Sequence, residues 1–259
     1  MFFDNPFSDL SASIQPGIMQ AFVVVMIALV ALGKFFDIVH KKSARYFFEN
    51  ARRAKSNAKW SVSRGQMISL AIRVLFVEVI AAGEFCSLQR RLAHLLTMYG
   101  FLAYVASTLV LVFVYPNTPA PLVWPLLWHL GALLVCVGGY WFWLFIRVDV
   151  SAEGHSRFRV VRADLFILSL LASTTLALVW AWAEATGTPG ADVLLSLYLI
   201  ATAALFGSVP WSKFSHMFYK PAAAFQSRVD AANGSRSNLP LPADKPETYG
   251  SARRQPRNY

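Results

Sequence analysis

Residues 95–115 read LLTMYGFLAYVASTLVLVFVY and hold no charged side chain. A helix rises about 1.5 Å per residue, so about 20 such residues cross a hydrocarbon layer about 30 Å thick. Four further apolar runs flank this one: Ile18–Val39, Leu122–Ile146, Ala163–Ala185 and Asp192–Trp211. Read as five spans, they sort the 24 Lys and Arg residues onto one side. Met1–Gly17, Pro116–Pro121 and Thr186–Ala191 contain none. Lys41–Arg91, Arg147–Arg162 and Lys213–Tyr259 carry all of them except Lys34, which lies near the end of the first run. Positive charge marks the cytoplasmic side of a membrane protein. The expectation is an all-α membrane protein, a five-transmembrane-helix bundle with its N-terminus outside and its C-terminus cytoplasmic.

Composition agrees. Of 259 residues, 56% are apolar, and the mean hydropathy is +0.46. The expected organisation is an outer segment over 1–17, a membrane domain over 18–220 with a basic cytoplasmic loop at 41–93, and a flexible cytoplasmic tail over 221–259. The tail from Gln226 onward is rich in Pro, Ser, Asn, Arg and Ala without apolar periodicity. Asp4 and Asp9 precede the first apolar run, where a secretory signal would place positive charge, so the first span is expected to be retained.

Within the basic loop, Gln66–Phe85 is apolar but carries Arg73, Glu78 and Glu84. As a sixth span it would send Arg147, Arg157, Arg159, Arg162 and the tail outside. Arg73 and Glu78 would then enter hydrocarbon, at about 2.5–3.5 kcal/mol per central charge. An amphipathic helix lying in the cytoplasmic interface fits better.

The net charge of +10 raises the question of nucleic acid. No nucleic-acid-binding motif accompanies it, and topology plus attraction to anionic membrane lipid accounts for it. Cys86 and Cys136 are far apart and form no CxxC pair, which excludes an iron–sulfur cluster or zinc knuckle built from this chain alone. No phosphate loop, paired-carboxylate site or nucleophile–base pair is present, so hydrolysis and phosphoryl transfer have no support. A small transporter would want polar or broken helices at mid-membrane, and few such features occur.

Five histidines remain. His155 sits in the polar loop SAEGHSR and reads as a surface residue; His40 closes the first span. His129 falls inside the third span, where a hydrogen bond to a neighbouring helix and a functional role are both open. His94 opens the second span in RRLAHLLTMYGF, and His216 closes the fifth in PWSKFSHMFYKP. In the five-span topology both lie at cytoplasmic helix ends, at one depth. Two neutral imidazoles facing each other between helices suit axial haem ligation. The same depth also suits ordinary headgroup-level residues. Seven tryptophans, Trp124, Trp128, Trp141, Trp143, Trp180, Trp182 and Trp211, read as interfacial anchors. Gly138 and Gly139 suit close helix packing, and Ser169, Ser173, Thr174 and Thr175 suit interhelical hydrogen bonds.

RRLAHLLTMYGF and PWSKFSHMFYKP resemble the second and fifth helices of cytochrome b-type membrane subunits of respiratory complexes. That group includes the nitrate reductase gamma subunit and the membrane subunits of heterodisulfide-reductase-like and quinone-interacting oxidoreductases. The resemblance covers roughly Leu92–Pro221. In that family each of the two helices supplies two histidines, and two stacked haems b result. Here His94 and His216 match the ligands of the cytoplasmic haem, while the outer pair of positions falls on Tyr104 and Tyr198. The resemblance implies one haem b, with His94 and His216 as axial ligands of the haem iron, and loss of the outer haem.

Within the group the chain is most similar to the small membrane anchors that accompany dissimilatory adenylylsulfate reductase in sulfur-oxidising bacteria. This implies a multi-pass subunit of the bacterial inner membrane. It would dock a cytoplasmic flavin and iron–sulfur oxidoreductase and link sulfite oxidation to quinone by electron transfer. The alternative is a cofactor-free scaffold that only recruits the soluble enzyme. Arg52, Arg53 and Lys55, in a loop with Glu49 as its single acid between Lys41 and Arg64, are the expected docking residues.

Overall fold

The computed structural model describes residues 4–11, 14–40, 43–83, 85, 87–147, 160–161, 164–209 and 216–235. Lys41, Lys42, Glu84, Cys86, His155, Trp211 and the tail beyond Ser235 lie outside the described residues, as do the side chains of Asp9 and His216. Among the described residues the chain is helical throughout, without strands. The elements are α1 (Pro6–Leu10), α2 (Pro16–His40), α3 (Ser43–Ser56), α4 (Arg64–Arg73), α5 (Leu88–Phe113), α6 (Val123–Trp141), α7 (Leu165–Thr186), α8 (Ala191–Gly207) and α9 (His216–Ala232). Two π-helical stretches, Val74–Ile80 and Phe142–Ile146, extend α4 and α6.

Four helices are long and apolar enough to cross a membrane: Pro16–His40, Leu88–Phe113, Val123–Ile146 and Leu165–Thr186. These match four of the five apolar runs. The fifth run becomes α8, with 17 residues. At 1.5 Å per residue that is about 25 Å, a little short of the hydrocarbon layer.

The bundle is assembled around α5 and α6, which cross with their backbones nearly touching. A Cβ on Gly100 would lie 2.7 Å from the Gly131 carbonyl, and one on Gly131 would lie 2.7 Å from the Tyr104 amide. Gly138 meets the Ala93 carbonyl in the same way, and Gly139 meets Leu171 of α7. Such contacts gather dispersion energy that lipid-facing surfaces cannot supply. The expectation for Gly138 and Gly139 therefore holds, and Gly100 and Gly131 join them.

At the α1 end, Asn5 donates to the Tyr115 carbonyl (2.8 Å) and Ser11 to the Pro116 carbonyl (2.6 Å). These bonds fold α1 back over the bundle and seat Phe7 against Trp128 and Trp180, at 5.8 and 5.6 Å between ring centres. Both tryptophans are 0% exposed. They are core residues, which corrects their reading as interfacial anchors; the α1 plug covers what an unplugged bundle would leave at the surface. Trp128 donates to Thr108 (3.0 Å), while the Trp180 indole N–H has no partner among the described residues. Trp182, at 46% exposure, does face outward. The α7–α8 turn uses Gly187 (φ 61°) and Gly190 (φ 93°), left-handed positions where a side chain would be strained.

The other end carries a basic layer of α3, α4 with its π-helical extension, and α9. Ser63 and Gln66 form a reciprocal capping box that starts α4. Ile68, Ile72, Leu75 and Phe76 are exposed along this element. Glu78 faces inward and pairs with Arg228 of α9. The Trp60 indole donates to the Ala232 carbonyl (2.6 Å). A buried pair, Arg147 with Asp164, ties the end of α6 to the start of α7, and the guanidinium lies 3.8 Å over the Trp143 ring.

Two expectations are corrected here. His216 does not close the fifth apolar helix: α8 stops at Gly207, and His216 opens the separate helix α9. The region after 221 is not tail from its start, since α9 runs through Pro221 to Ala232. An internal proline removes one backbone hydrogen bond, and packing of α9 on α3 and α4 and the Arg228–Glu78 pair offset that loss.

The α5–α6 contact supplies a direct test. Gly131→Val should overpack the crossing and cost about 1–3 kcal/mol or more. The expected outcome is a lower midpoint in a detergent thermal-aggregation assay; Gly17→Val, on a glycine with open space around it, should leave the midpoint unchanged.

Candidate functional site

His94 lies in the second turn of α5, half-buried, with the Phe85 ring 4.9 Å away. Thr97 and Phe101 follow it on the same helix face. The imidazole borders a cavity of about 290 Å³. Glu78 and Val79 close one side, Phe166 and Leu170 of α7 a second, and Met217, Lys220 and Pro221 of α9 a third. The walls are thus mostly apolar, with the charges of Glu78 and Lys220 at the rim.

A second cavity, of about 750 Å³, shares Phe101, Leu170 and Met217 with the first. It extends between α2 and the faces of α5, α7 and α8 as far as Phe7. Tyr104 and Tyr198 line it, and their hydroxyls are 2.7 Å apart. Beside them Ser173 and Thr202 join α7 to α8 through a 2.7 Å hydroxyl pair. Lys34 lies at the opposite end, bonded to Asp37 (3.1 Å) and 3.9 Å over the Tyr219 ring.

The sequence-derived residues fall out as follows. His94 and the first turn of α9 meet at one cavity, because Met217, next to His216, lines it. Tyr104 and Tyr198 come into direct contact, hydroxyl to hydroxyl. His129 is 3% exposed and in neither cavity; its Nδ1 lies 2.8 Å from the Pro125 carbonyl one turn back in α6, a bond within its own helix where one to a neighbouring helix was the expectation. His40 is exposed and stacks on Phe36. Cys136 is a free thiol packed near Thr174 and Thr175, at 3.4 and 3.6 Å. Ser173 and Thr175 make interhelical bonds, the latter to Tyr140 at 3.0 Å, whereas Ser169 bonds back within α7.

Arg52, Arg53 and Lys55 stand exposed on α3, apart from both cavities. Glu49 is hydrogen-bonded by Arg45 at 2.7 Å, and that bond holds its carboxyl below the usual range. The acid therefore stays ionised and committed to Arg45.

The buried Lys34–Asp37 pair escaped sequence reasoning. Its signal was available: opposite charges three residues apart inside an apolar run, the spacing that puts both on one helix face. The large cavity had no such signal, because its lining comes from six helices.

The arrangement can hold a flat or elongated hydrophobic molecule with an imidazole at one end and phenols farther along. No family model matches the chain, and no solved structure does. It is similar to citrate utilization protein B of Escherichia coli, 28% identical over 165 residues. The match covers 61% of this chain and 42% of that protein, so the chain spans under half of that relative's length. Fold and comparison together define the class: a helical protein with the character of a multi-pass membrane protein, weakly similar to citrate utilization protein B.

Proposed function

We propose that this chain is a membrane anchor and electron-transfer subunit. It docks a cytoplasmic flavin and iron–sulfur oxidoreductase to the quinone pool of the bacterial inner membrane through one haem b. The observation that carries this reading is the cavity bounded by His94 and the first turn of α9, mostly apolar-walled and sharing Phe101, Leu170 and Met217 with the larger cavity. His94 and His216 would hold the haem iron. Bound haem would supply one-electron chemistry, with its potential raised or lowered by burial and hydrogen bonding. Phe101, Phe166 and Leu170 would exclude water, and Thr97 would stand beside the ring.

The resemblance of the two histidine motifs supports adenylylsulfate reductase, and hence sulfite oxidation, as the soluble partner's chemistry. The likeness to a citrate utilization protein favours a second reading, in which the same anchor serves a partner acting on citrate. In both, α8 is a fifth span, the α1 end faces outward, and the basic layer faces the cytoplasm. The exposed apolar side chains of α4 and its extension lie in the cytoplasmic lipid interface.

The haem is tested by spectroscopy. The purified protein should show a reduced-minus-oxidised b-type band, and His94→Ala or His216→Ala should abolish it while the protein stays monodisperse in detergent. A haem-free wild-type protein that still retains the soluble enzyme at the membrane establishes the scaffold alternative instead.

Topology is tested by reporter fusions. Fusions after Pro119 and Pro189 should report outside, and fusions after His155 and at Tyr259 inside. An outer location for Tyr259 removes the five-span arrangement.

Docking is tested by charge. Reversing Arg52, Arg53 and Lys55 to Glu should release the soluble enzyme while this chain stays in the membrane, and raising salt should weaken wild-type retention. Retention insensitive to both places docking elsewhere.

A further inference from the structure

We propose that the cavity beside α2 is the quinone site, with a ring carbonyl accepting a hydrogen bond from the Tyr104–Tyr198 pair and the isoprenoid tail lying along α2. The inference rests on the quinone-linked reading above and gives it a location.

The cavity, at about 750 Å³, falls within the range of small-molecule sites. It reaches the bundle surface, since Ile27 and Leu109 both line it and are 55% and 36% exposed. α2 is the least covered of the four long helices. A ligand could therefore enter sideways from lipid, without crossing water. The α2 wall, including Met19, Phe22, Val23 and Met26, is apolar, as a tail requires.

The head position follows from hydrogen-bond capacity. Two phenols carry two O–H protons and share one 2.7 Å bond. Whichever donates, the other proton can go to a third group, and there a ligand carbonyl would compete with the Thr202 hydroxyl, which also lies in hydrogen-bond reach of Tyr198. The nearby threonines spend their own protons on the helix backbone: Thr202 donates to the Tyr198 carbonyl (2.8 Å), Thr108 to the Tyr104 carbonyl (2.7 Å) and Thr174 to the Leu170 carbonyl (2.9 Å). The molecule that suits this place presents an uncharged acceptor on an otherwise apolar body. A quinone carbonyl does so. A phospholipid does not, because its charged head belongs at the interface, and Lys34 at the far end is already bonded to Asp37. A bare acyl chain would leave the phenol unused. The shared wall at Phe101, Leu170 and Met217 sets this head beside the His94 cavity.

The test is titration of the purified wild-type protein with decylubiquinone and with menaquinone-1, read by quenching of tryptophan fluorescence. Saturable binding of at least one is expected. Tyr104→Phe and Tyr198→Phe should each change affinity little, since the remaining phenol keeps its proton. The double variant should lose about tenfold, the scale of one hydrogen bond left unmade. Val23→Trp should block binding by filling the tail path.

Three results overturn the proposal: no saturable binding of either quinone, unchanged affinity in a monodisperse double variant, or equal binding of decylbenzene, which lacks a carbonyl. If the double variant does not fold, the decylbenzene comparison and Val23→Trp still decide. Quinone binding with these dependences in a haem-free protein supports this site while overturning the haem reading. A normal haem band without quinone binding does the reverse.

Discussion

The bundle depends on the near-contact of two backbones. α5 and α6 approach until Gly100 faces the Gly131 carbonyl and Gly138 faces that of Ala93. In a lipid-like environment apolar side chains gain little by meeting one another, so association comes from closeness and polar pairing. The crossing also sets the orientation of α5. His94 is six residues before Gly100 and Tyr104 four after it. Both cavity-lining groups are therefore placed by the same contact.

Polar pairing does the rest, in small units. Tyr104 with Tyr198 joins α5 to α8, Ser173 with Thr202 joins α7 to α8, and Trp128 with Thr108 joins α6 to α5. Each satisfies groups that would be costly alone in an apolar interior. α2 takes little part in this network. Gln20 donates to the Val112 carbonyl at 3.2 Å, and its other polar groups, Lys34 and Asp37, bond each other. Loose attachment of α2 is what leaves a large apolar space beside it. The same fact explains why α2 is the least covered of the four long helices and why a cavity of about 750 Å³ lies beside it.

The two ends of the molecule differ in kind. The α1 end is closed by aromatic packing and a few backbone acceptors, with Phe7 as the plug. The basic end is a second layer, held to the bundle and to itself by Arg147–Asp164, Glu78–Arg228 and the Trp60 indole. That layer carries the exposed cations of α3 and the exposed apolar side chains after Arg64. A charged surface and an apolar surface on adjacent helices suit a position where lipid and water meet.

Much of this was legible from residue order. Apolar runs located the four long helices, to within two residues at each end except that α5 starts seven residues before its run, since run length and helix rise are local properties. Small residues at Gly138 and Gly139 announced close packing, and the pattern of Gln66–Phe85 announced an amphipathic element. Motif positions placed Tyr104 and Tyr198 at equivalent sites on two helices, but their 2.7 Å hydroxyl contact was not read from them. What residue order could not convey was which side of each helix turns inward. Trp128 and Trp180 carry the composition of interfacial anchors and became core because α1 folds over them. His216 carries the motif of a span end and became the start of α9 because the chain breaks after Gly207. The cavities are subtler still. They are the spaces left where several helices fail to touch, a property of no single segment. Local chemistry determined the helices; only their packing decided the space between them.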